Sequence, residues 1–341
     1  MLARLDGAGE QLPNLDLFVF MYAKKEAVLS SQIEGTQASL ADILRAEEAL
    51  LSAERQADVV ETINYIEAMK YGLERARALP FSLRLIREIH SMLMSGVRGS
   101  DRTPGEFRVS QNWIGPSGTP LKHAMFVPPP PHEMKEALGE FELYLHSGSP
   151  MPPLIKIGLA HAQFETIHPF LDGNGRIGRL LIMFLLCHWR IIHRPLLYPS
   201  LALKQRRTEY YDRLQAVRDH GHWEEWLVFF LEAMADAAKD AYERTRLIIG
   251  LREEHRGLIH KVAGRSAGSS LRALDNLFTN PYVKVSDVAS TANLSPAAAG
   301  QLVARFVDHG ILEEYTGRKR GRKFAYDKYI QLLEDDIPLS D

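Results

Sequence analysis

The stretch His168–Arg179 reads HPFLDGNGRIGR. It sets an imidazole, a carboxylate, a glycine-bordered turn and two arginines side by side. Gly173, Asn174 and Gly175 make a turn whose backbone a phosphate can approach closely, and the apolar run from Ile177 onward predicts that a helix begins there. The free amides at that helix start would face an anion. Arg176 and Arg179 are three apart, so both guanidinium groups leave one face of the first turns, where they can hold two successive phosphates of a nucleotide. His168, just before the turn, is placed as a general base. Asp172, at its entrance, is an oxygen ligand for a magnesium ion bridging phosphate oxygens. The set suits in-line attack on a phosphate.

These residues carry a resemblance. The stretch is similar to the signature of the Fic family, HxFx(D/E)GNGRxxR, with matches at His168, Phe170, Asp172, Gly173, Asn174, Gly175, Arg176 and Arg179. So many constrained positions make it far more specific than a lone GxGxxG. The resemblance implies transfer of AMP from ATP to a Tyr, Ser or Thr hydroxyl of a protein, with pyrophosphate leaving. It gives His168 the base role and Asp172 the Mg2+, and assigns the α-phosphate to Asn174 with the loop amides and the outer phosphates to Arg176 and Arg179. Doc-type members that phosphorylate carry a lysine where Gly175 stands, so Gly175 favours adenylylation; phosphocholine transfer is a family variant that the signature leaves open.

A second motif lies far upstream. Ser30–Gly35, SSQIEG, resembles the family's inhibitory pattern (S/T)xxxE(G/N) at Ser30, Glu34 and Gly35. Leu17, Phe18, Met21 and Val28 recur at helical spacing before it, which puts Glu34 near a helix end. A bidentate Glu34–Arg179 pair would occupy the guanidinium otherwise available to the γ-phosphate, and the resting protein would be autoinhibited.

Between the motifs, residues 107–131 read as two extended runs around a Gly/Pro/Ser turn and resemble the family's β-hairpin flap. An exposed flap edge can pair with an extended target segment by main-chain hydrogen bonds. Asn112, Trp113, Ile114 and Gly115 are expected nearest the ATP. Pro128–Pro131 reads as a stiff spacer leading into the next helix. Beyond the signature, Arg207, Tyr210 and Tyr211 resemble the segment lining the adenine side, where aromatic faces could stack on the base. Trp223 and Trp226 are assigned to core packing.

With 341 residues, 45% hydrophobic and 25% charged, the chain can fill a large core and a second domain. A net charge of -2 argues against a generally basic nucleic-acid binder. The single cysteine, Cys187, rules out an internal disulfide framework. The apolar run Leu180–Cys187 is too short to span a bilayer, and Asp6, Glu10 and Pro13 interrupt any N-terminal secretory signal. A cytoplasmic protein is expected.

The fold class expected is mainly α: a Fic-type helical domain with a β-hairpin flap, plus a C-terminal winged-helix domain. The divisions are 1–80 with the inhibitory motif, 81–256 as catalytic domain and 271–333 as winged helix. Helical periodicity covers 57–79, 82–97, 133–146, 154–167 and 209–219, and a long pattern runs from Glu224 towards His255. Gly257–Ser270 reads as a connection. Beyond it, 285–292 and 296–309 would be helices around the Asn293–Ser295 turn, and 311–315 and 323–326 wing strands. Arg318, Lys319, Arg320, Arg322 and Lys323 at the wing suit a phosphate backbone. The unit could equally serve dimerisation or target docking, since Ala297, Ala298, Ala299 and Gln301 offer few base readers.

The reading is therefore an adenylyltransferase using ATP and Mg2+ on a hydroxyl-bearing protein substrate and held back by Glu34. The alternatives are a DNA-associated regulator whose Fic domain senses nucleotide, and removal of AMP by the same site. No membrane partner is expected; a homo-oligomer is compatible with the sequence, which does not fix the oligomeric state.

Overall fold

The computed structural model describes residues 1–10, 15–45, 53–115, 120–148, 150–262 and 266–334. Two N-terminal helices, α1 (Leu2–Glu10) and α2 (Leu15–Ile33), are followed by the short α3 (Leu40–Leu44) and the long α4 (Ala53–Ala78). Met21 and Val28 of the expected α2 stripe are buried; the side chains of Leu17 and Phe18 lie outside those described. Helix α5 (Leu83–Leu93) begins where expected, because the Ser82 hydroxyl accepts the Leu85 amide at 3.3 Å. It stops short of Val97.

Helices α6 (Pro131–His146) and α7 (Pro153–Ile167) start at prolines, whose missing amide costs nothing in a first turn. Helix α8 (Asn174–His188) starts three residues earlier than the apolar run suggests, at the end of the glycine turn. Its segment Leu180–Leu186 is buried on every side, as befits a central helix, and it packs against α2, α4, α5 and α7. Cys187 is partly buried behind it. Helices α9 (Ser200–Gln205) and α10 (Arg207–His220) lead into α11 (Trp223–Val262), which packs on α1, α7, α9 and α10. Trp226 is fully buried, its indole N–H donating to the Gly158 carbonyl at 2.9 Å, and Trp223 packs at the core margin.

The expected flap hairpin is reduced, among the described residues, to one antiparallel bridge, Ile114–Phe126, with its turn 116–119 outside them. The Ile114 amide donates to the Phe126 carbonyl and the Met125 amide to the Ile114 carbonyl, each at 2.8 Å. A 3-10 turn, Leu121–His123, occupies the return run.

The connection expected over 257–270 is mostly helical. Ile259 is buried, so α11 continues through Gly257 to Val262, and α12 (Ala267–Leu277) has begun by Ser269. Residues 263–265 lie outside the described residues. Next come β1 (Tyr282–Lys284), α13 (Val285–Ala292), α14 (Pro296–Asp308), β2 (Glu313–Glu314), β3 (Lys323–Ala325) and α15 (Asp327–Glu334). The strands form an antiparallel sheet in the order β1-β3-β2. Ser295 caps α14, its hydroxyl accepting the Ala298 amide, and Asn293 turns at φ 53.

Candidate active site

The signature is a bend between α7 and α8. His168 ends α7 in the left-handed region, φ 49 and ψ 61, and Gly173 precedes α8 with φ 76. The bend is closed from within: Asn174 Oδ1 accepts the Phe170 amide at 2.9 Å, and its Nδ2 donates to the Phe170 carbonyl at 2.8 Å. The Asn174 side chain is thus spent on the loop, and what it turns to the cavity is backbone. Ile177 is the first residue of α8 whose amide reaches back, to the Gly173 carbonyl at 3.1 Å, so the amides of 174–176 precede the helical ladder.

Two residues that sequence reasoning missed fix this bend from outside. His90 of α5 accepts the Gly105 amide on Nδ1 at 2.8 Å, which leaves Nε2 as donor to the Asp172 carbonyl at 3.0 Å. Its ring stacks on Phe170, centroids 3.7 Å apart, and burial pushes its pKa down to about 4. Arg108, buried at the flap base, donates to the carbonyls of His168 (3.0 Å), Ser110 (3.2 Å) and Pro129. The flap and the bend are therefore one hydrogen-bonded piece. Asn112 adds to it, donating to the Phe170 carbonyl at 3.0 Å.

Burial and then the Arg218 charge push the His168 imidazole down to about 3, so the ring is neutral near pH 7. The Glu165 carbonyl partly offsets this, although among the described residues no hydrogen bond of ordinary geometry reaches the buried Nδ1. A neutral imidazole on a cavity wall can accept a proton, as a base requires.

The two arginines of the signature are already engaged. Arg176, 4% exposed, pairs with Glu61 of α4 at 3.3 Å and contacts Met94 Sδ at 3.3 Å. Arg179, 1% exposed, donates from Nε to the Ser30 hydroxyl at 2.8 Å and from Nη2 to the Ser30 carbonyl at 3.1 Å and Glu34 Oε1 at 2.6 Å. The contact to Glu34 uses a single guanidinium nitrogen, where the sequence suggested a bidentate fork. Removal from water pushes the Glu34 carboxyl up, but the charge and hydrogen bond of Arg179, aided by Arg176, outweigh this and hold it below the ordinary carboxylate range. Glu34 follows the last turn of α2, and Gly35 takes φ 100, a conformation that suits glycine after a helix. Gly175 lies directly against the pair: a Cβ there would meet Glu34 Oε1 and Arg179 Nη1, so a larger residue would have to displace the Glu34 carboxylate.

The bend and the Glu34–Arg179 pair face one cavity of about 810 Å³. His168, Asp172, Gly173, Asn174, Gly175, Arg176, Arg179 and Glu34 line it, as do Trp113, Ile114 and Gly115 from the flap and Arg207, Tyr210 and Tyr211 from α10. Asn112, Ser30 and Gly35 do not line it and act behind the wall. Tyr210 is almost wholly buried, its hydroxyl 2.8 Å from His161 Nε2, whereas Tyr211 is 38% exposed with Arg207 over its ring at 5.3 Å. Glu165 is a further lining residue without a signal in the sequence. Its Oε1 has no hydrogen-bond partner among the described residues, and burial pushes its carboxyl up to about 7.

For a metal, Asp172 offers a carboxylate whose side chain is 37% exposed, with Oδ1 accepting the Gly173 amide at 2.6 Å. Among the described residues no group of three or more His, Cys, Asp or Glu side chains could hold an ion. A single carboxylate supplemented by phosphate oxygens and water fits magnesium. No helix among the described residues is long and apolar enough to cross a membrane.

Residues 1–74 match the family described as Fic/DOC family N-terminal, and residues 80–186 match the Fic/DOC family itself. Proteins named protein adenylyltransferase Fic from Drosophila virilis and Drosophila grimshawi are each 31% identical over 207 residues, 58% of this chain and 39% of theirs. The chain thus matches about two fifths of the length of these curated relatives. A crystal structure of a Fic family protein from Desulfovibrio desulfuricans G20 superposes with a TM-score of 0.58 at 17% identity, covering 95% of this chain and 93% of that one. A Fic-domain signaling protein from Bacteroides thetaiotaomicron VPI-5482 gives 0.55 at 17%, covering 72% of this chain and 94% of that one. Both likenesses concern the fold, which is mainly helical with a small sheet. Residues 1–74 and 80–186, which reach almost to the end of α8, are thus similar to the two Fic/DOC family domains in turn.

Proposed function

We propose that this chain transfers AMP from ATP to a Tyr, Ser or Thr hydroxyl of a protein, and that Glu34 holds it in a resting state. The observation that carries the reading is the meeting of His168, the start of α8 and the Glu34–Arg179 pair in one cavity. In the transfer, the target hydroxyl loses its proton to the neutral His168 imidazole and its oxygen bonds to the α-phosphorus. The bond from that phosphorus to the bridging oxygen breaks, and pyrophosphate departs with the electron pair. Amides at the start of α8 face the charge that develops on the α-phosphate. Bound at Asp172, a magnesium ion would neutralise phosphate charge. Arg176 and Arg179 hold the outer phosphates, and the exposed flap edge at Trp113 and Met125 takes the target backbone.

Glu34 interferes because Arg179 cannot serve a γ-phosphate and a carboxylate 2.6 Å away at once. The test is incubation of the full chain and its Glu34→Gly variant with cell lysate, magnesium and ATP labelled at the α- or the γ-phosphate. Label on protein from the α position alone, stronger with the variant, is expected. Label from the γ position would mean phosphorylation, and none from either would end the reading.

We read residues 271–333 as a winged-helix unit, supported by the helix pair α13–α14 and the antiparallel sheet behind it. Arg318, Lys319, Arg320 and Arg322 are exposed on the loop between β2 and β3, which favours contact with a nucleic-acid backbone as a second reading. Retention on duplex DNA that weakens steeply with salt would support it. Equal retention by a variant with these four residues changed to Ala would not.

A further inference from the structure

Arg98 stands on the cavity wall outside the signature and outside the inhibitory motif. It belongs to the turn after α5, which is pinned at both ends. Asn64 Nδ2 donates to the Ser95 carbonyl at 2.7 Å, and Gly99, φ 83, lies so close to Asp172 that a Cβ would be 2.6 Å from Oδ2. The turn thereby sets Arg98 beside Asp172.

A buried carboxylate ties it to the signature. Glu61 Oε2 lies 3.3 Å from Arg176 Nη1, and Glu61 Oε1 lies 3.6 Å from Arg98 Nε. Arg176 also lies 3.8 Å from Asp172 Oδ1, so the two guanidiniums and the two carboxylates form one cluster at this end of the cavity. Arg176 is recessed, with 5% of its side chain exposed, whereas Arg98 is 67% exposed. Among the described residues Arg98 pairs with no other carboxylate.

We propose that Arg98 is a further nucleotide-binding residue of this site, contacting the outer phosphates of ATP and the pyrophosphate that leaves, with Glu61 as the positioning residue that orients Arg98 and Arg176 together. This rests on the seating of ATP proposed above. A guanidinium at the lip reaches the β- and γ-phosphates from the solvent side, beside the recessed Arg176, while the α8 amides face the α-phosphate. It also stays available whether or not Glu34 occupies Arg179, so it gives the departing pyrophosphate a cation at the exit.

The experiment measures dissociation constants of ATP, AMP and pyrophosphate, with magnesium, by calorimetry. The full-length Glu34→Gly parent is compared with the same chain carrying Arg98→Ala or Arg98→Lys, exposed positions whose change leaves the core intact. Arg98→Ala is expected to weaken ATP and pyrophosphate by about tenfold and to leave AMP unchanged, with Arg98→Lys recovering part of the loss. A parent that binds ATP while Arg98→Ala binds ATP and pyrophosphate equally well overturns the Arg98 assignment alone. Equal weakening of AMP also overturns it. A parent that binds no ATP overturns the seating itself, and this inference with it.

Discussion

At the scale of single residues, function here depends on what each charged group is already paired with. His168 is neutral and on the cavity wall, and His168→Ala is expected to cut the rate of AMP transfer by about 10²- to 10⁴-fold with an unchanged circular dichroism spectrum. A variant that keeps the parental rate would remove the imidazole from the chemistry. The signature residues were legible because they are contiguous: one turn and one helix start bring them together whatever the rest of the chain does. The Glu34–Arg179 pair spans 145 positions and was legible only through a second motif. His90, Arg108, Glu61 and Glu165 were not legible. His90 and Arg108 bond to backbone carbonyls and amides, which every residue carries and no letter marks, and Glu61 reads in sequence like any polar residue on a helix.

At the scale of elements, α5, α7 and α8 make the site by close approach. His90 of α5 satisfies both the Gly105 amide and the Asp172 carbonyl. His90→Ala is expected to lower stability by about 2 kcal/mol or more, because it strands one buried donor and one acceptor; urea unfolding measures it, and an unchanged midpoint would count against the bond pair. At Gly178 of α8 a Cβ would fall 2.2 Å from Glu165 Oε1. Gly178→Ala, which in an open helix would gain about 1 kcal/mol, is therefore expected to lose about 1–3 kcal/mol by the same measurement. The long helices were legible from their periodicity. The three-residue β1 and the flap bridge were not, since elements so short carry too few alternations to stand out from loop.

At the scale of the whole molecule, the C-terminal unit is built against the N-terminal helices. Arg45, just after α3, donates to the Tyr282 hydroxyl at 2.8 Å and stacks on Tyr282 and Tyr315, and Glu334 accepts the Ala41 amide at 3.0 Å. Nothing in the sequence pointed to this contact, which joins residues more than two hundred positions apart. Burial also shapes the response of the whole fold to pH. His90 and His161 titrate at about 4 and His168 at about 3, below their unfolded values. Their contribution is full above about pH 6.5 and fades as pH falls towards 4. Glu26 and Glu165, pushed up to about 7 by burial, act in the opposite sense. Their contribution is full below about pH 4.5 and fades as pH rises through 7. His255, lowered by burial, joins the histidines, and Glu61, raised by burial, joins the two carboxyls. The four histidines outweigh the three carboxyls, and depressed carboxyls such as Glu34 add to their side, so the unfolding temperature is expected to fall between about pH 6 and 5. A midpoint that rises over this interval would contradict that balance. The most direct test of the central claim compares three full-length chains, the parent, Glu34→Gly and Glu34→Gly/His168→Ala, by label transferred from α-labelled ATP to protein. The expected result is little transfer by the parent, strong transfer by the single variant and none by the double variant. Equal transfer by all three would contradict both the restraint by Glu34 and the role of His168.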